Sequence, residues 1–304
     1  MNLYFAPMEG ITTYTYRNTH AELFGMCDRY FAPFIVPTDN ERLSIKSMRD
    51  ILPQNNDVQP VPQVMCSSPK AFLEFCKKIQ EIGYDSVNLN LGCPSGTVVK
   101  KRRGSGALKD PEALDAFLDE IFSSVDIKIS VKTRTGFYSH EEFDALLQVY
   151  HKYPITELIV HPRVREEFYK GVPNRQAFDK VYAGVPFPLC YNGNIFQAED
   201  YTEIANSYPN LSGVMIGRGA IQNPAIFREI KGGKPLETQE LIRFSKLLQE
   251  RYLTLLQSEV YTLHRLKEIW LSMILNFPEE KKIAKAVKKS ATLEDLNRAI
   301  VCLP

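Results

Sequence analysis

Apolar residues along this chain gather in short runs of five to seven, each closed by turn chemistry and followed by a helical rhythm. The runs are NLYFAPM (Asn2–Met8), RYFAPFI (Arg29–Ile35), VPQVM (Val61–Met65), SVNLNL (Ser86–Leu91), IKISVKT (Ile127–Thr133), ELIVH (Glu157–His161), PLCYNG (Pro188–Gly193) and GVMIG (Gly213–Gly217). They are nearly continuous rather than alternating, which predicts strands buried on both faces and therefore a parallel sheet.

The intervening segments carry helix starts. Ser68-Pro69 opens SSPKAFLEFCKKIQEIG and Asp110-Pro111 opens KDPEALDAFLDEIF, each pairing an N-cap residue with Pro at the first helical position. Ser139 with Glu142 predicts a capping box ahead of FDALLQVYHKY. Eight strand–helix units in roughly 235 residues predict an α/β fold, a (β/α)8 TIM barrel. The competing doubly wound sheet wants a GxGxxG after the first strand, and none is there.

After KGGKP (Lys231–Pro235) the strand rhythm stops and only helical patterns follow, the last with a Thr292/Asp295 box. The chain thus divides into a barrel over 1–235 and a small all-helical domain over 236–304.

Composition sharpens this only a little. The 304 residues carry a formal net charge of +1, so no global field draws the protein to nucleic acid or membrane, and a polyanion must meet a local patch such as Lys100–Arg103. Six scattered cysteines without a CxxC point away from a zinc site and towards reduced thiols in the cytoplasm, most of them packed as small hydrophobes. No secretory signal or membrane span is expected.

Barrel chemistry sits at the C-terminal ends of the strands. Those ends hold Pro7, Met8 and Glu9; Gln63; Asn90 and Cys93; Lys132 and Arg134; His161; Asn192, Gly193 and Asn194; Gly217 and Arg218. YNGN and IGRGA follow strands seven and eight, where glycine N–H groups and Arg218 would suit a phosphate. Lys132 is costly on a core strand unless it meets an anion, and Gln63 offers donor and acceptor to a heterocycle edge, so the pair suits a flavin. His161 reads equally as a ligand contact or as a satisfied polar residue.

The chain resembles the tRNA-dihydrouridine synthases. The matching pieces are APMEG (Ala6–Gly10), NLGCPSGTV (Asn90–Val98), GSGALKDP (Gly104–Pro111), VKTRTG (Val131–Gly136), VHPRVREEFYKG (Val160–Gly171), NGNI (Asn192–Ile195) and GVMIGRGAIQNPAIF (Gly213–Phe227). HRLKEIWLSMI (His264–Ile274) is similar to that family's helical domain. The resemblance implies an FMN enzyme that uses NADPH to reduce selected D-loop uridines of tRNA, as a monomer without DNA or metal. It places Pro7, Met8, Glu9, Gln63, Lys132, His161, Asn192, Gly193, Asn194, Gly217 and Arg218 around FMN. Cys93 becomes the general acid, giving a proton to uracil C5 while C6 receives a hydride. A thiol near its ordinary pKa of about 8.5 is protonated yet able to give up its proton at neutral pH.

Two departures from the family pattern stand out. Asn194 replaces the Asp common in NGDI, and Val172-Pro173-Asn174 replaces an acidic–aromatic pair. Substrate contacts are expected from Asn90 and Arg134, and RNA phosphate contacts from Lys100, Lys101, Arg102, Arg103, Arg163 and Arg165. Lys281, Lys282, Lys285, Lys288 and Lys289 form a further basic cluster. KKRR reads equally as a solvated loop. Two other readings compete: an FMN-dependent oxidoreductase of small dihydropyrimidines or dihydroorotate, and a tRNA-binding protein that keeps the barrel only as a scaffold.

Overall fold

A computed structural model describes residues 1–39 and 44–304. All eight expected strands are present: β1 (Asn2–Phe5), β2 (Arg29–Tyr30), β3 (Gln63–Val64), β4 (Ser86–Leu91), β5 (Lys128–Gly136), β6 (Leu158–Val164), β7 (Leu189–Asn192) and β8 (Gly213–Ile216). They are parallel and ordered β2-β1-β8-β7-β6-β5-β4-β3. Parallel bridges Phe31↔Val61 and Ile35↔Val64 join the two end strands, so the sheet closes into a barrel.

Several bounds differ from the sequence reading, for backbone reasons. The second run keeps only two ladder residues; beyond them Phe31 and Ile35 make isolated bridges on either side of Pro33, which has no N–H to donate. The fifth and sixth strands run on past Thr133 and His161, carrying Arg134 and Arg163 inside the barrel. The Ser139/Glu142 box is corrected: Ser139 Oγ accepts from Glu141 N at 3.3 Å, while the Glu142 carboxylate accepts the N–H groups of Phe137 and Tyr138. The Asp110 and Ser68 caps and the reciprocal Thr292/Asp295 box form as expected.

The period of two sorts side chains between two cores. Val87, Leu89, Ile129, Val131, Leu158 and Val160 face the surrounding helices. Tyr4, Ala6, Phe31, Ile159, Cys190 and Met215 form a separate apolar plug inside the barrel. On the same inward register, nearer the C-terminal rim, stand Asn90, Lys132, Arg134, His161 and Asn192. The polar layer lies on an apolar floor, and that places the site.

The helices after Pro235 pack on the barrel rather than hang from it. Phe244 meets Tyr16 edge-on at 5.3 Å, Tyr252 shares a hydrogen bond with Thr13 at 3.2 Å, and Arg265 Nη1 donates to the Gly10 carbonyl at 2.8 Å. Arg228 clamps the connecting segment by donating to the Lys234 and Pro235 carbonyls and to both oxygens of Glu240. Among the described residues no helix is long and apolar enough to cross a membrane.

Candidate active site

A cavity of ≈ 370 Å³ opens at the C-terminal rim of the barrel, lined by residues from seven strand ends. Pro7, Met8, Glu9, Asn90, Cys93, Lys132, Arg134, His161, Asn192, Gly193, Gly217 and Arg218 all meet there, with Phe34 and Tyr169. Gln63 and Asn194 stand behind this lining.

Cys93 is held by its backbone on both sides. Asn90 Oδ1 accepts the N–H groups of Gly92 and Cys93, each at 3.0 Å. The Cys93 carbonyl accepts from Ser105 N at 3.0 Å and Ser105 Oγ at 2.8 Å. Gly104 permits that closure: its φ is +53°, and a Cβ there would lie 2.8 Å from the Cys93 oxygen. Burial pushes the thiol above its ordinary pKa, with Glu9 adding to it and the Ser95 N–H, Arg134 and Lys132 opposing. The sulfur is a protonated thiol at neutral pH, the form an acid needs.

Gln63, fully buried at 0 % exposure, does not reach the cavity wall. It donates to Asn88 Oδ1 at 2.7 Å and accepts from Asn90 Nδ2 at 2.8 Å, and Asn88 donates on to Ser130 Oγ at 2.9 Å. Its amide is thus spent on two partners: the nitrogen on Asn88 and the oxygen on Asn90, which in turn holds Cys93.

Burial lowers the Lys132 ammonium to about 8, with Arg134 pushing the same way and Cys190 and Cys93 pulling back. Burial, then Arg134, Lys132, Arg163 and Arg218, holds His161 well below its ordinary value, so the ring is neutral. Arg163 Nη1 can only donate to His161 Nε2, at 2.7 Å, which leaves the ring proton on Nδ1.

The arginines divide by environment. Arg134 is a buried brace: Nε donates to Gly92 O at 2.8 Å, and Nη1 to Val164 O at 3.1 Å and Phe168 O at 2.8 Å. Arg163, 0 % exposed, donates to the Lys170 and Gly171 carbonyls, His161 and Asn194, so in this arrangement it turns no free face to a phosphate. Arg165 reaches the Pro94 carbonyl at 3.2 Å and pairs with Glu166. Arg218 is half-buried and donates to Asn194 Oδ1 at 2.8 Å. Lys100, Lys101 and Arg102 are exposed and Arg103 is half-buried; they share the Cys93 loop but lie outside the cavity.

Tyr169 was not among the residues singled out by sequence. It stacks on His161 at 6.1 Å and lies under the guanidinium groups of Arg134 at 5.3 Å and Arg218 at 5.4 Å. Its sequence signal is its place in VHPRVREEFYKG, a piece matched to the family with no role given to the tyrosine.

The donor set fits a flavin phosphate ester. Ala6 and Met8 supply an apolar wall, and a Cβ on Gly217 would press on both at 3.3 Å, so the bare backbone there keeps the cleft open. Lys132 meets cations and thiols rather than a carboxylate, and Arg163 and Arg218 share a neutral amide, so the cleft favours an anionic ligand.

Fold and site together define a (β/α)8-barrel protein whose rim cleft joins a protonated thiol to a cation-lined anion pocket. The chain belongs to the dihydrouridine synthase family, whose pattern matches residues 4–301. It is 31% identical over 258 residues to a probable tRNA-dihydrouridine synthase of Staphylococcus epidermidis, covering 81% of this chain and 77% of that one. It is 29% identical over 238 residues to tRNA-dihydrouridine synthase B of Shewanella oneidensis, covering 75% and 70%. Among solved structures, morphinone reductase in complex with tetrahydroNAD superposes with a TM-score of 0.54 at 9% identity, over 78% of this chain and 88% of that one. A variant of NCR from Zymomonas mobilis gives 0.53 at 10% identity, over 78% and 88%. These structures share the barrel fold. The family membership favours the RNA-modifying reading over the small-molecule reductase.

Proposed function

We propose that this chain is a tRNA-dihydrouridine synthase that reduces the C5–C6 double bond of D-loop uridines, with FMN in the rim cleft and NADPH as reductant. The single observation that carries the chemistry is Cys93, a protonated thiol fixed from both backbone sides in a cleft lined by cations.

Bound there, a flavin supplies the hydride that uracil C6 receives. Lys132 would face the electron-rich edge of the ring, and the Gly193 and Gly217 backbones with Arg218 would take the phosphate. His161, locked as the Nδ1–H tautomer by Arg163, offers a neutral donor that does not compete for the thiol proton. The Cys93 Sγ–H gives its proton to C5, and Asn90 keeps that sulfur in place.

Residues 1–235 form the catalytic barrel, and residues 236–304 dock the tRNA together with the exposed Lys100, Lys101 and Arg102. The protein works as a monomer in the cytoplasm, where unmodified tRNA and NAD(P)H meet. The test is to incubate purified protein with unmodified tRNA, or with free uracil, and NADPH. Dihydrouridine in the tRNA and none from the free base is the expected result; turnover of free uracil alone would overturn the reading.

A further inference from the structure

Outside the cavity, the rim carries a second aromatic surface that the chemistry above does not use. Tyr138, two residues past β5, is 63% exposed, and Phe168, in the loop after β6, is 37% exposed. The Tyr138 ring packs edge-on against the buried Phe137 ring at 4.6 Å, and the Arg165 guanidinium lies between Phe137 and Phe168, so the exposed rings belong to one connected cluster. The backbone beneath both rings is held. The Phe137 and Tyr138 N–H groups bond the Glu142 carboxylate, and Phe168 sits at φ +52°, a backbone region Phe rarely adopts, with its carbonyl gripped by Arg134 at 2.8 Å.

Cations complete the surface. Lys109 Nζ lies 4.2 Å from the Phe137 ring centre and 5.3 Å from that of Tyr138. The Arg165 guanidinium lies 5.4 Å from the Phe137 ring and 4.6 Å from the Phe168 ring, while its Nε bonds the carbonyl of Pro94, next to Cys93. Rings and cations thus alternate in contact beside the cysteine loop, and Tyr138, Phe168 and Lys109 lie outside the cavity lining.

We propose that Tyr138, with Lys109 beside it, is a stacking site for the base of a nucleotide flanking the reduced uridine. The inference rests on the tRNA reading and adds a second base contact to it. A uridine drawn into the cavity leaves its loop neighbours unstacked, and an exposed ring recovers that stacking for any base. Lys109, exposed beside Tyr138, suits a phosphate next to such a base. The pairing of flat rings with spaced cations fits RNA, whose own surface alternates bases and phosphates.

Affinity, rather than turnover, decides it. Dissociation constants are measured for unmodified tRNA and for transcripts that each carry one abasic nucleotide in the D-loop. For wild type, one abasic position beside the reduced uridine is expected to weaken binding about tenfold. Tyr138→Ala weakens intact tRNA by a similar factor and is then indifferent to that same abasic position, whereas Tyr138→Trp restores both affinity and sensitivity. Lys109→Ala lowers the salt dependence of binding by about one phosphate contact. Intact affinity in Tyr138→Ala, or a loss that adds fully to every abasic substitution, overturns the proposal. So does a surface on which only Lys109→Ala has an effect. Failure of wild type to form dihydrouridine is a separate readout, and it would count against the functional reading itself.

Discussion

The side-chain oxygen of Asn90 accepts the backbone N–H of Cys93 at 3.0 Å, while the Asn90 amide donates to Gln63 at 2.8 Å. The reactive thiol is therefore positioned by a buried amide that is itself positioned by a second amide. Gln63 acts at one remove from the cleft, on the residue that holds the acid.

Asn90→Ala breaks this relay at its centre and strands the Gln63 oxygen in a dry interior. The expected cost is about 1–3 kcal/mol of stability for the unsatisfied groups. Dihydrouridine formation falls about 10- to 100-fold, mainly in kcat, because the thiol loses its register. Urea denaturation with steady-state kinetics checks both, and a variant with wild-type kcat would show that Asn90 does not position Cys93.

Arg134 ties three chain segments together through the carbonyls of Gly92, Val164 and Phe168. A lysine keeps the charge but cannot span that fork. In Arg134→Lys, amide hydrogen exchange of the 165–171 loop is expected to speed up and activity to fall at least tenfold. Unchanged exchange in that loop would contradict the brace.

Lys132 sets a pH dependence with a definite sign. Its ammonium titrates at about 8 in the folded protein against an ordinary 10.5, because burial disfavours the charge. Between those values the unfolded chain binds more protons, so stability rises as pH increases through the window, and below it the buried charge is a standing cost. Lys132→Met is expected to raise the urea midpoint at about pH 7 and to flatten the rise between about pH 8 and pH 10. A variant that kept the wild-type rise would place its source elsewhere.

The strands were legible because unbroken apolar runs such as SVNLNL and ELIVH have few other uses, and the cap residues Ser68, Asp110 and Thr292 announce their helices locally. The strand-end residues were legible for a related reason: parallel barrels put every C-terminal strand end on one rim. What the sequence hid were side-chain partners distant along the chain. Nothing in the pattern says that Gln63 spends its amide on Asn88 and Asn90, or that Arg163 turns inward to His161 and Asn194. Tyr169 and Tyr138 sit in loops, where neither periodicity nor capping marks a side chain for use.

The central claim is that Cys93 delivers the proton, and it is tested most directly by dihydrouridine formed per tRNA in Cys93→Ala and wild type, with cofactor content and tRNA affinity measured alongside. The account predicts a loss of about 10²- to 10⁴-fold in the variant with cofactor and tRNA still bound, the range a positioned acid supplies. Full activity in Cys93→Ala would contradict it.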